Sequence, residues 1–519
     1  MCVIIRFFAP EFNSLFMSNP TLRYAFLFLA AFLVAGMIFC AGCTSAPQKP
    51  QKLDGFDDVV TAKMAEYKVP GAVVGIVEND TVVYLKGFGV REIGKPEKVD
   101  PDTRFQVASI SKYFNAAGTG TLVEEGKLDW DTPVVTYMPG IALKDTYATE
   151  HTTLRDLLTH RTGLRAYEGG LLGRLGYSNK EMLERMRYLQ PSAGFREKNQ
   201  YSNAGFFIAG EVAAAADNRS WEDMTDARII HPLNMTRSGA HYETLYLDDN
   251  RYTGYRETAN GTEMLPHEID PLPAAGQVVS TGRDMTRFMR MMLNHGSIEG
   301  KQILAPKTVD AINAASFVTG QPDNPADPYT LKANGLGCDS FTYLGERVVE
   351  KNGGLDGVRS LVVLVPNRNI GLVVIANKHL TEFPEAVQAE FLERNIGKSG
   401  VDLQARVKAN QAMINEMVAP PERPKNPGPA TIAPSAMAGT YRNDLYGTMQ
   451  VSPGVDAGTM TFVLGPGRYP GDLSHWTNNT WLLSFPNPDD PNDLVTFVTG
   501  PSGSVTGMDA GELGLFARV

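Results

Sequence analysis

Cysteine is scarce in this chain of 519 residues, and three of its four copies, Cys2, Cys40 and Cys43, crowd the N-terminal end. Cys338 is left alone in the body of the protein. That excludes a disulfide framework and a clustered-thiolate zinc site, and leaves Cys338 as a small buried hydrophobe. The eight histidines, His160 and His231 among them, show no metal-ligand spacing. They read as surface or structural residues, and no metal or organic cofactor is expected. A surplus of positive charge is missing too: 48 basic residues face 58 acidic ones, a net charge of −10, with no basic run or stripe. This argues against a nucleic-acid partner and fits plain solubility. No Gly-x-Ser-x-Gly occurs, so the strained strand-to-helix turn of one large class of serine enzymes is absent. What remains, 43% hydrophobic and 20% charged, suffices for a sizeable core in two or three domains.

The first forty-odd residues read as an address. Arg6 and Arg23 precede Tyr24–Gly42, a run without charge, the layout of a secretory signal or a membrane anchor. It ends in Cys40-Ala41-Gly42-Cys43 before the polar TSAPQKPQK. Small residues just ahead of a cysteine resemble the lipobox of lipoproteins, which implies lipidation at Cys43. An uncleaved anchor is the alternative, and Met17 is a second candidate start. Both layouts put the body outside the cytoplasm, because the arginines favour an inside N-terminus.

Two β-rich runs after Val69 flank Asn79-Asp80, a hairpin signal. A second hairpin is expected from Arg359–Val365 and Ile370–Ala376. Helical sequence lies between them, including 111–125, 179–189 and 284–294. Ser178 with Glu181 fits a capping box, and Thr281 with Asp284 a looser version. Strands at both ends with helices between suggest one antiparallel sheet assembled from the two termini of a domain. After Val418 the sequence APPERPKNPGPATIAP is a stiff linker, and the remainder, rich in Gly, Thr, Val and aromatics, reads as a small β-barrel or sandwich.

Ser109-Ile110-Ser111-Lys112 is the only Ser-x-x-Lys of the chain. An extended or turn-like stretch precedes it and an amphipathic helix follows. Ser109 is therefore placed at a helix start with Lys112 one turn on, along the same face. Helix amides there favour developing negative charge. A serine hydroxyl needs an adjacent base, and Lys112 serves only if burial and a neighbouring cation lower its pKa. Alone, the tetrad fits equally an exposed lysine on an ordinary helix.

The wider sequence decides. FQVASISKYFNAAGTGTLVEEGKLDWDTPVVTYMPG, TTLRDLLTHRTGL, PSAGFREKNQYSNAGFFIAGEV and HPLNMTRSG resemble, in order, the serine β-lactamase and low-molecular-weight penicillin-binding-protein superfamily. The resemblance is strongest to its class C, D-aminopeptidase and esterase branch and covers roughly residues 57–400. It implies an α+β fold: a β-lactamase/transpeptidase-like antiparallel sheet flanked by helices. The tail from AGTYRNDLYGTMQV to LGLFARV resembles the lipocalin-like β-barrel domain often fused to this branch. The expected organisation is 1–43 signal or anchor, 44–56 tether, 57–400 hydrolase, 401–434 helix and linker, and 435–519 β-domain.

The resemblance also assigns roles. Of the Tyr-x-Asn candidates, Tyr113 lies on the nucleophile helix, Tyr177 precedes a helix cap and Tyr441 lies beyond the linker. Tyr201-Ser202-Asn203 stands in the family context, and Tyr201 joins Ser109 and Lys112 as catalytic, shuttling a proton. Asn203 is expected to hold Lys112 or a substrate amide. Lys351-Asn352-Gly353-Gly354 takes the place of the third motif, on a strand beside the nucleophile. Lys351 supplies a cation and Gly353 room for backbone approach, while the amides of Ser109 and Gly354 form an oxyanion hole. Asn352 stands where the family has a hydroxyl that helps bind carboxylates, which weakens the expectation of penicillin or D-alanyl substrates. The expected protein is a membrane-tethered serine hydrolase acting through a Ser109 acyl-enzyme on a small-molecule or peptide amide, ester or β-lactam. The alternative is a silent surface lipoprotein on the same scaffold. The principal base, Lys112 or Tyr201, stays open, and the sequence says nothing of oligomeric state.

Overall fold

The two runs around Asn79-Asp80 form a hairpin of strands β1 (Gly71–Glu78) and β2 (Thr81–Gly89) in the computed structural model. It describes residues 51–519 apart from 167, 259–260, 268–271, 321–326, 419–421, 457, 488–489 and 491. The expected leader, with Cys40 and Cys43, lies outside the described residues, as does part of the Pro-rich linker. Asn79 and Asp80 both turn through the left-handed region, at φ of 49° and 61°. A two-residue hairpin that follows the strand twist requires this, and Asn and Asp tolerate it better than most residues.

The remaining strands of the sheet come from the far end of the domain: β3 (Phe317–Gly320), β4 (Tyr329–Asn334), β5 (Asp339–Tyr343), β6 (Glu346–Leu355), β7 (Val358–Val365) and β8 (Ile370–Ala376). The order is β2-β1-β8-β7-β6-β5-β4-β3, antiparallel throughout. The two ends of the domain meet where β1 pairs with β8 in the register Val74↔Val374. Both central strands are near-continuous apolar runs, because both faces of the sheet are covered. Helix α1 (Phe56–Glu66) covers the face of Ile76 and Tyr84, with Phe56 edge-on to the Tyr84 ring. Helix α5 (Phe383–Asn395) packs beside α1. The face of Val73 and Gly75 receives α4 (Gly282–Leu293), whose Gly282 lies directly on Val73.

Between the strands run α2 (Ser111–Glu124) and α3 (Asn203–Asp217), both almost wholly buried. Ser178 and Glu181 close the capping box that the sequence signals, and the Thr281 hydroxyl accepts from the Asp284 amide at the start of α4.

After α6 (Leu403–Met417) the chain enters a closed barrel. Its strands are β9 (Gly439–Asn443), β10 (Gly447–Pro453), β11 (Thr459–Leu464), β12 (Tyr469–Thr477), β13 (Thr480–Ser484), β14 (Asp493–Thr499), β15 (Val505–Asp509) and β16 (Leu515–Arg518). They follow one another up and down, and Tyr441↔Arg518 closes the ring. Closure removes the exposed edges that a small sheet otherwise presents.

Candidate active site

Ser109 sits on a single 3₁₀ turn, Ala108–Ile110, that leads into α2. Ala108 takes φ of 49°, a conformation that costs a non-glycine residue about 1 kcal/mol or more. The surrounding structure fixes it. Val107 donates to the Val278 carbonyl at 2.9 Å, and its own carbonyl accepts from the Ser360 hydroxyl at 2.7 Å. The turn therefore hangs between the Val278 segment and β7, with the hydroxyl of Ser109 presented at the head of α2.

Helical spacing brings Lys112 back beneath Ser109. Its ammonium donates to Ser109 Oγ at 2.9 Å and to the Ala275 carbonyl at 2.7 Å, and the residue is 0% exposed. The Ser109 hydroxyl also lies 2.9 Å from the Tyr201 phenol. Lys112 Nζ stands 5.1 Å, and Lys351 Nζ 5.6 Å, from the centre of the Tyr201 ring. Burial of Tyr201 acts to raise its phenol pKa, but the ammonium charges of Lys112 and Lys351 and hydrogen bonds to Lys112 and Ser109 outweigh it. The result lies below the usual tyrosine value. Burial pulls Lys351 down, and Asp339, 3.3 Å away, together with Tyr201 more than restores it, so the side chain stays a cation at 3% exposure.

Lys351, Asn352, Gly353 and Gly354 form the end of β6 that pairs with β7 but extends past β5. Lys351 and Gly353 face the nucleophile. A Cβ on Gly353 would stand 2.5 Å from the Val107 carbonyl and 2.8 Å from the Ser109 amide nitrogen, so only glycine lets the strand approach this closely. Gly353→Ala is accordingly expected to lose about 1–3 kcal/mol of stability through overpacking and to push the Ser109 turn away from β6. Urea unfolding checks the first effect, and the labelling rate of Ser109 checks the second. Strand alternation turns Asn352 away from Ser109. It lines a cavity of about 520 Å³ with Glu350, Arg359, Glu385 and Gln388, so its side chain is not placed to bind substrate beside the nucleophile.

Asn203 opens α3, with its backbone amide bonded to the Ala166 carbonyl at 3.2 Å. Its Oδ1 is buried and accepts no hydrogen bond, so the expected tie from this oxygen to Lys112 is not made. The Ala275 carbonyl receives that ammonium instead. The other Tyr-x-Asn tyrosines are engaged elsewhere: Tyr113 donates to Asn313 in the core, Tyr177 to the Tyr446 carbonyl, and Tyr441 to the Met437 carbonyl at 2.5 Å.

Sequence reasoning undervalued His160. Its Nδ1 accepts from the Ser202 amide at 3.0 Å, its carbonyl accepts from the Gln200 amide at 2.7 Å, and its ring lies 4.5 Å from that of Tyr201. These contacts grip both neighbours of Tyr201. Burial, then the charges of Lys351 and Lys112, hold His160 well below the usual imidazole value, so it remains neutral. Asp156, 0% exposed, anchors the same loop by capping its own helix and pairing with Arg161 at 2.5 Å and Arg196 at 2.6 Å.

Residues 56–394 match the model of the beta-lactamase family, and residues 423–514 match a domain of unknown function (DUF3471). An "Unguisins hydrolase ungD'" of Aspergillus campestris is 28% identical over 340 residues, 62% of this chain and 61% of the relative, so this chain spans less than two thirds of that protein. A second unguisins hydrolase, from Aspergillus violaceofuscus, is 23% identical and aligns over 78% of each chain. "Protein flp" of Staphylococcus aureus is 24% identical over 64% of each. Among solved structures, the octameric penicillin-binding protein homologue from Pyrococcus abyssi superposes with a TM-score of 0.58. It is 21% identical and covers 89% of this chain and 99% of its own, a likeness of fold. With the family model covering the domain that carries Ser109, Lys112, Tyr201 and Lys351, the chain belongs to the beta-lactamase family.

Proposed function

We propose that Ser109 is acylated by an uncharged ester or amide and that water then hydrolyses the acyl-enzyme. The observation that carries this is the hydroxyl of Ser109 held 2.9 Å from both Lys112 Nζ and the Tyr201 phenol. In acylation, Tyr201 as a phenolate, or Lys112 as a neutral amine, takes the Ser109 proton as Oγ bonds to the carbonyl carbon. Negative charge moves to the carbonyl oxygen, which the amides of Ser109 and Gly354 receive; such preorganised donors are worth about 10²–10³ in rate each. The proton then passes to the leaving nitrogen or oxygen as its bond to carbon breaks. In deacylation, water gives a proton to the same base and attacks the ester carbon, and the base returns that proton to Ser109 Oγ as the C–O bond breaks, leaving an acid product. Every step uses groups of this chain.

Two features favour an uncharged substrate over one with a carboxylate. Asp339 already balances Lys351, and Asn352 is turned away where a hydroxyl would assist. The names of the two fungal relatives support hydrolysis as the reaction class. We further propose that the body is tethered outside the cytoplasm through Cys43.

The test is peptide-mapping mass spectrometry of folded residues 44–519 after exposure to a fluorophosphonate and to a fluorescent penicillin. The fluorophosphonate is expected to label Ser109, with loss of fluoride, and the penicillin far more slowly. Comparable labelling by penicillin would overturn the substrate preference. An adduct on Ser109 with neither probe would return the protein to a binding role.

A further inference from the structure

Large side chains line the barrel interior. Trp481, Phe462, Phe497, Tyr441, Met449, Met460 and other inward residues are buried, and the Phe462 ring lies against Gly471. On its outer surface the barrel grips the hydrolase domain, among the described residues, in two places. One is the 168–185 segment, around Leu175 and Arg185. There the Gly467 amide donates to the Leu175 carbonyl at 2.8 Å, and Arg185 donates to the carbonyls of Asp444 and Leu445 at 2.7 and 2.8 Å. The other is the turn Asp356-Gly357, which directly follows the Gly353-Gly354 strand end. There the barrel supplies Asn487, whose Nδ2 donates to Asp356 Oδ2 at 3.0 Å, and Asp490, which accepts from the Tyr469 phenol at 2.7 Å. Arg174, from the first grip, lies 3.3 Å from Asp490 and 3.7 Å from Asp356. Asp356, Asn487 and Asp490 are 6%, 4% and 7% exposed. A buried polar network of this kind holds one geometry, because any unpaired member is costly. On its other side the turn is backed by Gly254, against which Gly357 packs at φ of 77°.

We infer that the barrel is a fastener of the active site: its Asn487 and Asp490 set the Asp356 turn, and with it the Gly354 amide, relative to Ser109. The hydrogen bond from Asn487 is a direct hold of the barrel on that turn, and Arg174 ties the turn to the opposite wall. A shift of about 1 Å in a reacting group costs up to ~10²-fold in rate, so loosening this hold acts on the chemical step and not on ground-state binding.

The inference rests on Ser109 being the nucleophile, and two measurements on the full folded protein keep the two ideas apart. Asn487→Ala is expected to lower the maximal fluorophosphonate labelling rate of Ser109 about tenfold, a modest share of that range, leaving the half-saturating probe concentration unchanged. Backbone amides of 355–358 are expected to exchange hydrogen for deuterium faster in the same variant. An unchanged labelling rate overturns the inference, as does unchanged exchange at 355–358 whatever the rate. If the parent protein takes no label on Ser109, the nucleophile assignment fails first, and the exchange experiment still decides whether the barrel holds the turn.

Discussion

Ser109→Ala and Lys112→Met are each expected to lower kcat/KM for a chromogenic ester by about 10³-fold or more, and the double variant is expected to be no worse than Ser109→Ala alone. Groups that act as one unit show this non-additivity, since the second loss removes nothing the first had left in place. The geometry makes them a unit. Lys112 is wholly buried, and its ammonium reaches the serine and one carbonyl. Methionine nearly matches lysine in length and packs in the same channel without charge or hydrogen bonds. It leaves the Ala275 carbonyl unpaired, at about 1–3 kcal/mol, so urea unfolding of each variant accompanies the kinetics. Residual activity in Lys112→Met within tenfold of the parent would place the base elsewhere.

Local signals were readable and distant ones were not. The hairpin at Asn79-Asp80, the second hairpin at Pro366–Asn369 and the cap at Ser178 depend on residues adjacent in sequence, whose own conformational preferences decide the turn. The Ser109–Lys112 pair was equally legible, because helical spacing fixes which side chains share a face. His160 was not. Its value comes from an amide 42 residues away at Ser202, and nothing in its own neighbourhood marks that contact. The Ala275 carbonyl that holds Lys112 is a backbone acceptor and has no residue signature at all. Asn352 is a subtler case: the motif located the strand, but its face follows only once Lys351 is seen to point at Tyr201, after which alternation settles its neighbour. Short alternating runs identified the tail as β. Closure through Tyr441↔Arg518 and the grip of Asn487 on Asp356 are long-range pairings that composition cannot specify.

Tyr201→Phe is expected to cost about 10²–10⁴-fold in kcat/KM, the range for loss of a positioned acid–base group, with folding intact because phenylalanine keeps the ring that packs on His160. The pH profile carries the sharper test. Lys112 and Lys351 lower the Tyr201 pKa, so a phenolate able to take the serine proton gains population at a pH below that of an ordinary tyrosine. Parent kcat/KM is therefore expected to rise with pH along a limb that ends below the usual tyrosine value, and Tyr201→Phe is expected to lose that limb. Lys351→Met removes one of the two cations, so the phenol pKa moves up and the limb shifts to higher pH while its shape persists. His160 adds no limb near its usual value, since burial and the same two cations keep it neutral well below that pH. Persistence of the unshifted limb in Tyr201→Phe would assign the proton transfer to Lys112 and reduce Tyr201 to a group that orients the serine hydroxyl.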